Sequence, residues 1–356
     1  MHSKQNARFE MSETITMGQI AKELKVSRNA VSAVVNGRSR KLGLSKATED
    51  KIKDYIKKRG YVQSKSAMLL RNGASTDLTG ILTCGPIAIY PHLVKALQYL
   101  SEYIKQKHGH VEIIGINTEN IQHGLREVVS QGIKKLIWIH ATPPEVEIIN
   151  AHKLFPLLSR MKRVVIYNYC YSLDKWEEEY FKHGIQLVGV DRPACYRKAA
   201  EIFGGLGHSQ IALDEVYAPS FQTITNTGRL KSSFEQYGFT VHGLRGTHID
   251  VVEMTERLIK LHRKNKVSCA FIRNEQRAVE IMGRLQEAGI NIPGDIAIMG
   301  FGNSPMTRWT SPPLTTFAFP VNEMCAKTVE LINNNKLNPN KRSNFYNELV
   351  LRKSHQ

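Results

Sequence analysis

The sequence predicts a multi-domain fold: a small all-α helix-turn-helix module, a hinge, and a bilobed α/β region of two doubly wound parallel sheets. Three observations carry this. The chain has 356 residues, more than the roughly 100 to 200 residues of one domain. Of its net charge of +17, residues 1–75 hold 16 basic and 6 acidic side chains, or +10. From Leu78 onward, short apolar runs alternate with longer amphipathic segments, as strands alternate with covering helices in a parallel sheet.

Hydrophobic residues make up 42% of the chain and charged residues 23%, enough apolar surface for packed cores and too much for global disorder. A cationic excess of this size suits an anionic partner, nucleic acid first. The five cysteines, Cys84, Cys170, Cys195, Cys269 and Cys325, are odd in number, widely spaced and without a CxxC pair. They read as small core residues in a reducing cytoplasm, not as a disulfide framework or a zinc site. The opening MHSKQNARFEMSE has no apolar h-region, and no window approaches the ~18 unbroken apolar residues of a membrane span, so a cytoplasmic location is expected.

Residues 16–37 read TMGQIAKELKVSRNAVSAVVNG. Thr16 with Gln19 three residues on is a capping-box signal, and Met17, Ile20, Ala21 and Leu24 recur at helical spacing. This helix should end near Lys25. Ser27 is a second N-cap, Ala30, Val31, Val34 and Val35 supply a second apolar stripe, and Asn36-Gly37 is a stop. A third helix is signalled by Ser45 as N-cap, by Ile52, Tyr55 and Ile56 on one face, and by Lys57, Lys58 and Arg59 before Gly60. Any three-helix bundle with a solvated basic face has this pattern; the concentration of charge favours DNA.

These residues resemble the opening motif of the lactose-repressor (LacI/GalR) family of bacterial transcription regulators, T-I-x-D-V-A-x-x-A-G-V-S-x-x-T-V-S-x-x-L-N. Thr16, Ala21, Val26, Ser27, Val31, Ser32 and Asn36 keep its spacing without a gap. The resemblance implies that the second helix lies in the major groove, with Thr16, Ser27, Ser32 and Asn36 on the DNA-contacting motif and Arg28, Asn29 and Ala33 on base-reading positions. Arg28 suits guanine and Asn29 adenine. Ala33 stands where the family often has Arg. RSRKLG, residues 38–43, looks longer than the usual connection and adds Arg38, Arg40 and Lys41, either as phosphate contacts or as a solvated loop.

After Gly60-Tyr61, VQSKSAMLLRNGASTD resembles the family's hinge helix, P-N-x-x-A-R-x-L. Tyr61 is included in the expected DNA-contacting set. Ala67 keeps the motif's Ala and Leu70 falls on the Leu that wedges into the minor groove, while Gln63 replaces the Pro and Met68 the Arg. The alternative is that Leu69 and Leu70 pack the linker against a neighbouring domain.

In the C-terminal region LTGILTC, PHLVKALQYLSEYIKQK, VEIIGI, LREVVSQGI, KKLIWIH and KRVVIYN form one series, and LVGVD, PACYRKAAEIFGGLG, QIALDEV, TGRLKSSFEQYG, SCAFIRN, EQRAVEIMGRLQEAG and IAIMGFG a second. The expected boundaries are a tail over 1–15, the helix-turn-helix module over 16–61, the hinge over 62–77 and the bilobed region over 78–356. Lobe 1 is expected at about 78–188 plus 320–336, and lobe 2 at about 189–319 plus 337–356. Ligands of open α/β sheets sit at the carboxyl ends of the strands, which here should face a cleft.

RLKSSF (229–234), LGH (206–208), Asn274-Glu275, LQEAGINIPGDIAIMGFG and SPPLTTFAFP (311–320) resemble landmarks of the same family's effector domain, so the resemblance covers nearly the whole chain. It implies a periplasmic-binding-protein-like (type I) fold with a small metabolite between the lobes. Carried over singly, Tyr90 falls on an aromatic that often stacks on the ligand, Arg229 on an Arg that clamps it, Asp191 on an Asp after a strand, and Asn274 on the Asn of an N-D pair. Glu275 replaces the Asp of that pair, Arg192 the Asn of V-x-x-D-N and Asn168 an Asp. Gly302 and Asn303 stand where G-F-D-D is usual, so a carboxylate that accepts paired sugar hydroxyls is missing. Arg192, His140, Tyr167 and Tyr169 suit a more basic, aromatic pocket for an acidic sugar or another anion. Against this, His140 also reads as a satisfied polar residue, and one of the two tyrosines as core.

There is no GxSxG, Walker loop or HExxH, FGGLGHSQ reads as a helix stop and turn, and His108-Gly109-His110 is too isolated for a metal site, so no enzyme and no cofactor are expected. The expected function is a DNA-binding regulator, a repressor, acting as a homodimer or tetramer on a palindromic operator in the bacterial nucleoid. A small-molecule effector, a sugar or acidic sugar, controls it. Two alternatives stay open: a regulator whose degenerate cleft answers to a protein partner, and a solute receptor or cryptic enzyme that binds no DNA. If Leu70 is the wedge, Leu70→Ala weakens specific operator binding and leaves weak non-specific binding and its salt slope unchanged in a titration against both DNAs; equal losses on both refute the role.

Overall fold

A computed structural model of the chain describes residues 16–59, 78–84, 87, 90–107, 109–116, 121–139, 154–168, 174–216, 224–246, 250–334 and 342–356. The tail, the hinge, Tyr61, Gln63, Ala67, Met68, Leu70, His140, Tyr169 and Cys170 lie outside them. The chain divides into two compact units, Met1–Thr76 and Asp77–Gln356.

In the first unit, three helices form where the caps predict them: α1 (Met17–Leu24), α2 (Arg28–Val35) and α3 (Lys46–Arg59). The Thr16 hydroxyl accepts from the Gln19 N–H at 3.2 Å while the Gln19 side-chain oxygen accepts from the Thr16 N–H at 2.7 Å, so two otherwise orphaned amides are satisfied reciprocally. Lys25 turns left-handed at φ 53° and ends α1. Ser27 Oγ accepts from the Ala30 N–H at 3.0 Å and starts α2. Ile20, Ala21, Ala30, Val31, Val34 and Ile52 are the buried core between the helices. Outside that core, the Tyr55 hydroxyl donates to the Glu23 carboxylate and pins α3 to α1. The inserted RSRKLG segment is a short 3-10 turn over Arg40–Leu42, closed by Gly43 in the left-handed region at φ 66°.

The second unit holds two six-stranded sheets of the same order. The first contains β1 (Leu78–Cys84), β2 (His110–Ile116), β3 (Lys135–Ile139), β4 (Arg163–Tyr167), β5 (Ile185–Val190) and a short β11 (Ser343–Phe345), arranged β11-β5-β4-β3-β1-β2. Its helices are α4 (Pro91–Gln106), α5 (Ile121–Ser130), α6 (Phe155–Leu158), α7 (Asp174–Lys182) and α12 (Val321–Asn333). The second sheet contains β6 (Gln210–Val216), β7 (Thr240–Gly246), β8 (Cys269–Phe271), β9 (Ala297–Gly302), β10 (Thr315–Ala318) and β12 (Glu348–Val350), arranged β12-β10-β9-β8-β6-β7. It carries α8 (Arg192–Gly205), α9 (Ile224–Glu235), α10 (Val251–Asn265) and α11 (Glu275–Glu287).

Central strands are buried on both faces, as the unbroken apolar runs require: every residue of β1, β4 and β5 is buried, whereas the edge strand β2 is not. Ala96 and Leu100 of α4 pack with Met324 and Val329 of α12 on one face of the first sheet. The second sheet has a core on each face, Phe203, Phe234 and Phe271 in one and Leu258, Ile281 and Leu285 in the other. Tyr167 is core, its hydroxyl 3.8 Å from Cys325 Sγ, and Cys84, Cys195, Cys269 and Cys325 are buried.

Two expectations need correction. The second sheet is not wholly parallel, because β12 pairs antiparallel with β10. The lobe boundaries also shift. β5 runs to Val190, so the first crossing comes after 190 and not at 188, and β11 pairs with β5, which places 343–345 in lobe 1. The chain therefore crosses at 191, at 319–320 and at 346–347. Three-residue strands have no hydrophobic period to betray them.

Ser27→Ala leaves the Ala30 amide uncapped and is expected to cost the first unit about 1 kcal/mol. Urea unfolding followed by far-UV circular dichroism measures this as an earlier loss of helix, and an unchanged midpoint contradicts it.

Candidate nucleic-acid interface and ligand cleft

Arg28 and Asn29 are both exposed in the first turn of α2, directly after the Ser27 cap. Arg38, Arg40 and Lys41 are exposed on the inserted turn. Thr16, Ser27 and Asn36 each hold a helix end: the Asn36 side-chain amide donates back to the Ser32 carbonyl and lies 3.5 Å from its hydroxyl. Ala33 departs from the expected reading face. It is buried at 8% exposure, and its carbonyl accepts from the Arg38 N–H at 2.7 Å, the bond that closes the end of α2 beyond the left-handed Gly37.

In the second unit Tyr90, Asn168, Asp191, Arg192 and Asn274 stand in the connections that follow strands or at the start of the next helix. Tyr90 precedes α4, half-buried against the lobe 1 core. Asn168 follows β4, buried and left-handed at φ 64°. Asp191 follows β5 and caps α8, accepting from the Ala194 N–H at 3.1 Å. Arg192 is the first residue of α8, with its guanidinium carbon 5.7 Å from the Phe301 ring centroid. Asn274 caps α11, accepting from the Arg277 N–H at 3.0 Å. Arg229 lies half-buried on α9.

Glu275 and Asn303 carry a structural duty that the sequence reading did not foresee. Glu275 is 3% exposed, and both its carboxylate oxygens accept from the Ser304 N–H, at 2.8 and 2.9 Å. A Cβ on Gly302, whose φ is +145°, would lie 2.7 Å from the Glu275 carboxyl carbon. The longer acid at 275 occupies the space that a side chain at 302 would need. Burial raises the Glu275 pKa, against the opposing pull of Ser304, Asn303 and Arg352. Asn303, left-handed at φ 59°, accepts from Arg352 at 2.6 Å, and Arg352 also donates to the Leu314 carbonyl at 2.6 Å and to Thr307 Oγ1 at 3.1 Å.

Four further residues escaped the sequence reading. Asp214, fully buried in β6, accepts from Arg273 Nε at 2.9 Å and lies 3.6 Å from Arg277. Its one sign in the sequence is an acid inside the apolar run QIALDEV. The His92 ring stacks on Phe319, with centroids 3.7 Å apart, and nothing in their spacing, more than 200 residues, announces that contact. Arg273 is the fourth; its position beside Asn274 was the only hint.

Comparison with known proteins gives these arrangements a context. Residues 200–355 match the periplasmic binding protein-like domain. The HTH-type transcriptional regulator GalS of Salmonella typhimurium is 22% identical over 329 residues, 89% of this chain and 88% of that protein. The chain is similar over most of its length to LacI/GalR-family regulators. Those relatives are transcriptional regulators, not enzymes. Among solved structures, the Lac repressor dimer bound to operator and an anti-inducer superposes with a TM-score of 0.71 at 17% identity, covering 96% of this chain and 99% of that one. The transcriptional regulator CelR in complex with cellobiose superposes at 0.60 and 18% identity, covering 96% and 99%. At such identities the structural likeness speaks for the fold. Among the described residues no helix is long and apolar enough to cross a membrane.

Gly302→Ala is expected to destabilise the protein by about 1 to 3 kcal/mol, through a strained backbone and the clash with Glu275. In a double-mutant cycle, Glu275→Ala relieves most of that loss. Thermal melting of the four proteins checks it, and purely additive losses reject the coupling.

Proposed function

We propose that the chain is a repressor that binds a palindromic operator as a homodimer, controlled by a sugar or sugar derivative held between the lobes. The observation that carries the DNA-reading part is the exposed Arg28-Asn29 pair in the first turn of α2, on the most basic part of the chain. The start of a helix places both side chains where a major groove presents base edges, with Arg28 matched to guanine and Asn29 to adenine. Arg38, Arg40 and Lys41 bind phosphate, which adds affinity without sequence preference. Tyr90, Asn168, Asp191, Arg192, Arg229 and Asn274 are the residues we assign to the effector. The operator-bound dimer of the Lac repressor and the cellobiose held by CelR support the dimer and the sugar class.

Control follows from linkage. A ligand that fits one relative pose of the lobes better than another shifts the population, and DNA affinity moves only by that difference. Two-fold symmetry sets the half-sites about one helical turn apart, roughly 34 to 36 Å. The whole arrangement works in the cytoplasm, on the nucleoid.

The test is to mix the full-length protein with sheared genomic DNA of its source at moderate salt and sequence the fragments it retains. A sharply enriched palindrome is expected, and no enrichment with or without cell extract defeats the reading. On that operator Arg28→Ala is expected to lose about 1 to 3 kcal/mol, concentrated at one base position of each half-site. A uniform loss at every sequence makes Arg28 a phosphate contact instead.

A further inference from the structure

In a parallel sheet every strand is entered from the same edge, so the connections that lead into the strands meet there. In the first sheet that amino edge is formed by the approaches to β2, β3, β4 and β5, residues 105–110, 130–135, 159–163 and 182–185. These approaches hold no Asp or Glu, and each carries an exposed cation: Lys105 and Lys107, Lys134, Arg160 and Lys162, and Lys182. Register brings them into one row. Thr79 of β1 pairs with Lys135, Lys135 with Arg163, and the Arg163 amide donates to the Lys134 carbonyl at 3.1 Å. The corresponding edge of the second sheet has no such row: the approaches to β6 and β7, 206–209 and 236–239, hold no Lys or Arg, and the approach to β9 holds Asp295.

Of the six cations, only Lys182 has an ion pair among the described residues, with Glu179 at 3.5 Å. The other acids near the ends of these helices are engaged elsewhere: Glu102 accepts from the Gln98 amide at 2.9 Å, and Glu127 lies 3.3 Å from His123. Lys105 and Lys182 sit in last helical turns, where a cation offsets the helix dipole. Lys134 and Lys162 stand four residues beyond the helices, where that account does not reach. In the strand order β5-β4-β3-β1-β2 the row covers four spacings of about 4.8 Å, roughly 19 Å, the length of about six phosphates along one strand of a duplex. The chain itself arrives in the middle of this row. Leu78, the first residue of β1, is in register with His110 on one side and one position before the Thr79–Lys135 pair on the other. Residues 60–77 span at most about 60 Å, so a duplex held by the first unit is tethered within reach of this edge at a high effective concentration.

We propose that the amino edge of lobe 1 is a second DNA-backbone contact, in which Lys107, Lys134, Arg160 and Lys162 take phosphates of the duplex that the first unit reads. The proposal rests on the reading of the chain as a DNA-binding regulator and adds to it a surface outside the helix-turn-helix module. Contacts of this kind release counterions and raise affinity at any sequence, so their loss lowers both the affinity and its dependence on salt.

Fluorescence anisotropy of the full-length protein on a long labelled duplex of random sequence, titrated over a range of KCl, tests this. The variant Lys107→Gln/Lys134→Gln/Arg160→Gln/Lys162→Gln is expected to bind about tenfold or more weakly, with the slope of log K against log salt reduced by about 2 or more. A matched variant, Lys260→Gln/Arg263→Gln/Lys264→Gln/Lys266→Gln, removes four exposed cations from α10 and its C-cap in lobe 2 and is expected to leave both quantities nearly unchanged. Thermal melting checks that both variants fold. If the lobe 1 variant does not, Lys134→Gln/Lys162→Gln is expected to show about half of its change in slope. An unchanged slope in the lobe 1 variants overturns the proposal and leaves an acidic protein as the partner of this edge; an equal loss in the lobe 2 variant overturns it by making the effect one of net charge. Operator binding weakened by Arg28→Ala but indifferent to the lobe 1 substitutions would sink this inference and leave the regulator reading standing, whereas a wild-type protein that binds no DNA defeats both.

Discussion

Three crossings between the two sheets, tied to one another by short hydrogen bonds, constrain everything else in the second unit. The Asp191 amide donates to the Phe345 carbonyl at 2.9 Å, the Asn347 side-chain amide to the Ala318 carbonyl at 3.0 Å, and Arg342 to the Val190 carbonyl at 3.0 Å. Arg342 also reaches Glu177 on α7 at 3.2 Å. Each bond joins residues more than 20 positions apart. A chain that changes sheet three times at one seam can rotate about it with little loss of core, because each lobe keeps its own strands and helices.

The chemistry gathers beside that seam. Arg192 follows the first crossing, Phe319 is the second, and His92 packs on it from lobe 1. Asp214 pairs with Arg273 and lies 3.6 Å from Arg277, and Glu275 holds the turn at Ser304. Removing Arg273 would leave the fully buried Asp214 charge uncompensated.

The first unit solves a different problem. It is small and has few core residues, Ile20, Val31 and Ile52 among them, so its helix ends are secured by side-chain caps at Thr16, Ser27 and Ser45. Those caps leave Arg28 and Asn29 exposed at the start of α2.

Much of this was legible in the sequence because it depends on neighbours along the chain. The capping box, the Ser27 cap, the stop at Asn36-Gly37 and the apolar runs of β1, β4, β5 and β9 are local signals, and the helices and central strands follow them. The family motif in residues 16–36 and the landmarks from 206 to 320 carried the function. Tertiary structure alone decided the rest. The short β11 and β12 have no period to read and acquire their identity from the strands they pair with. The burial of Ala33 and the fit of Glu275 beside Gly302, 27 residues away, are settled by packing and not by neighbours along the chain. The meeting of His92 with Phe319 and Arg192 joins three segments distant in sequence, and a contact of that kind leaves no mark on any one of them: composition and periodicity record what each residue needs, and only the packed chain determines which partner answers it.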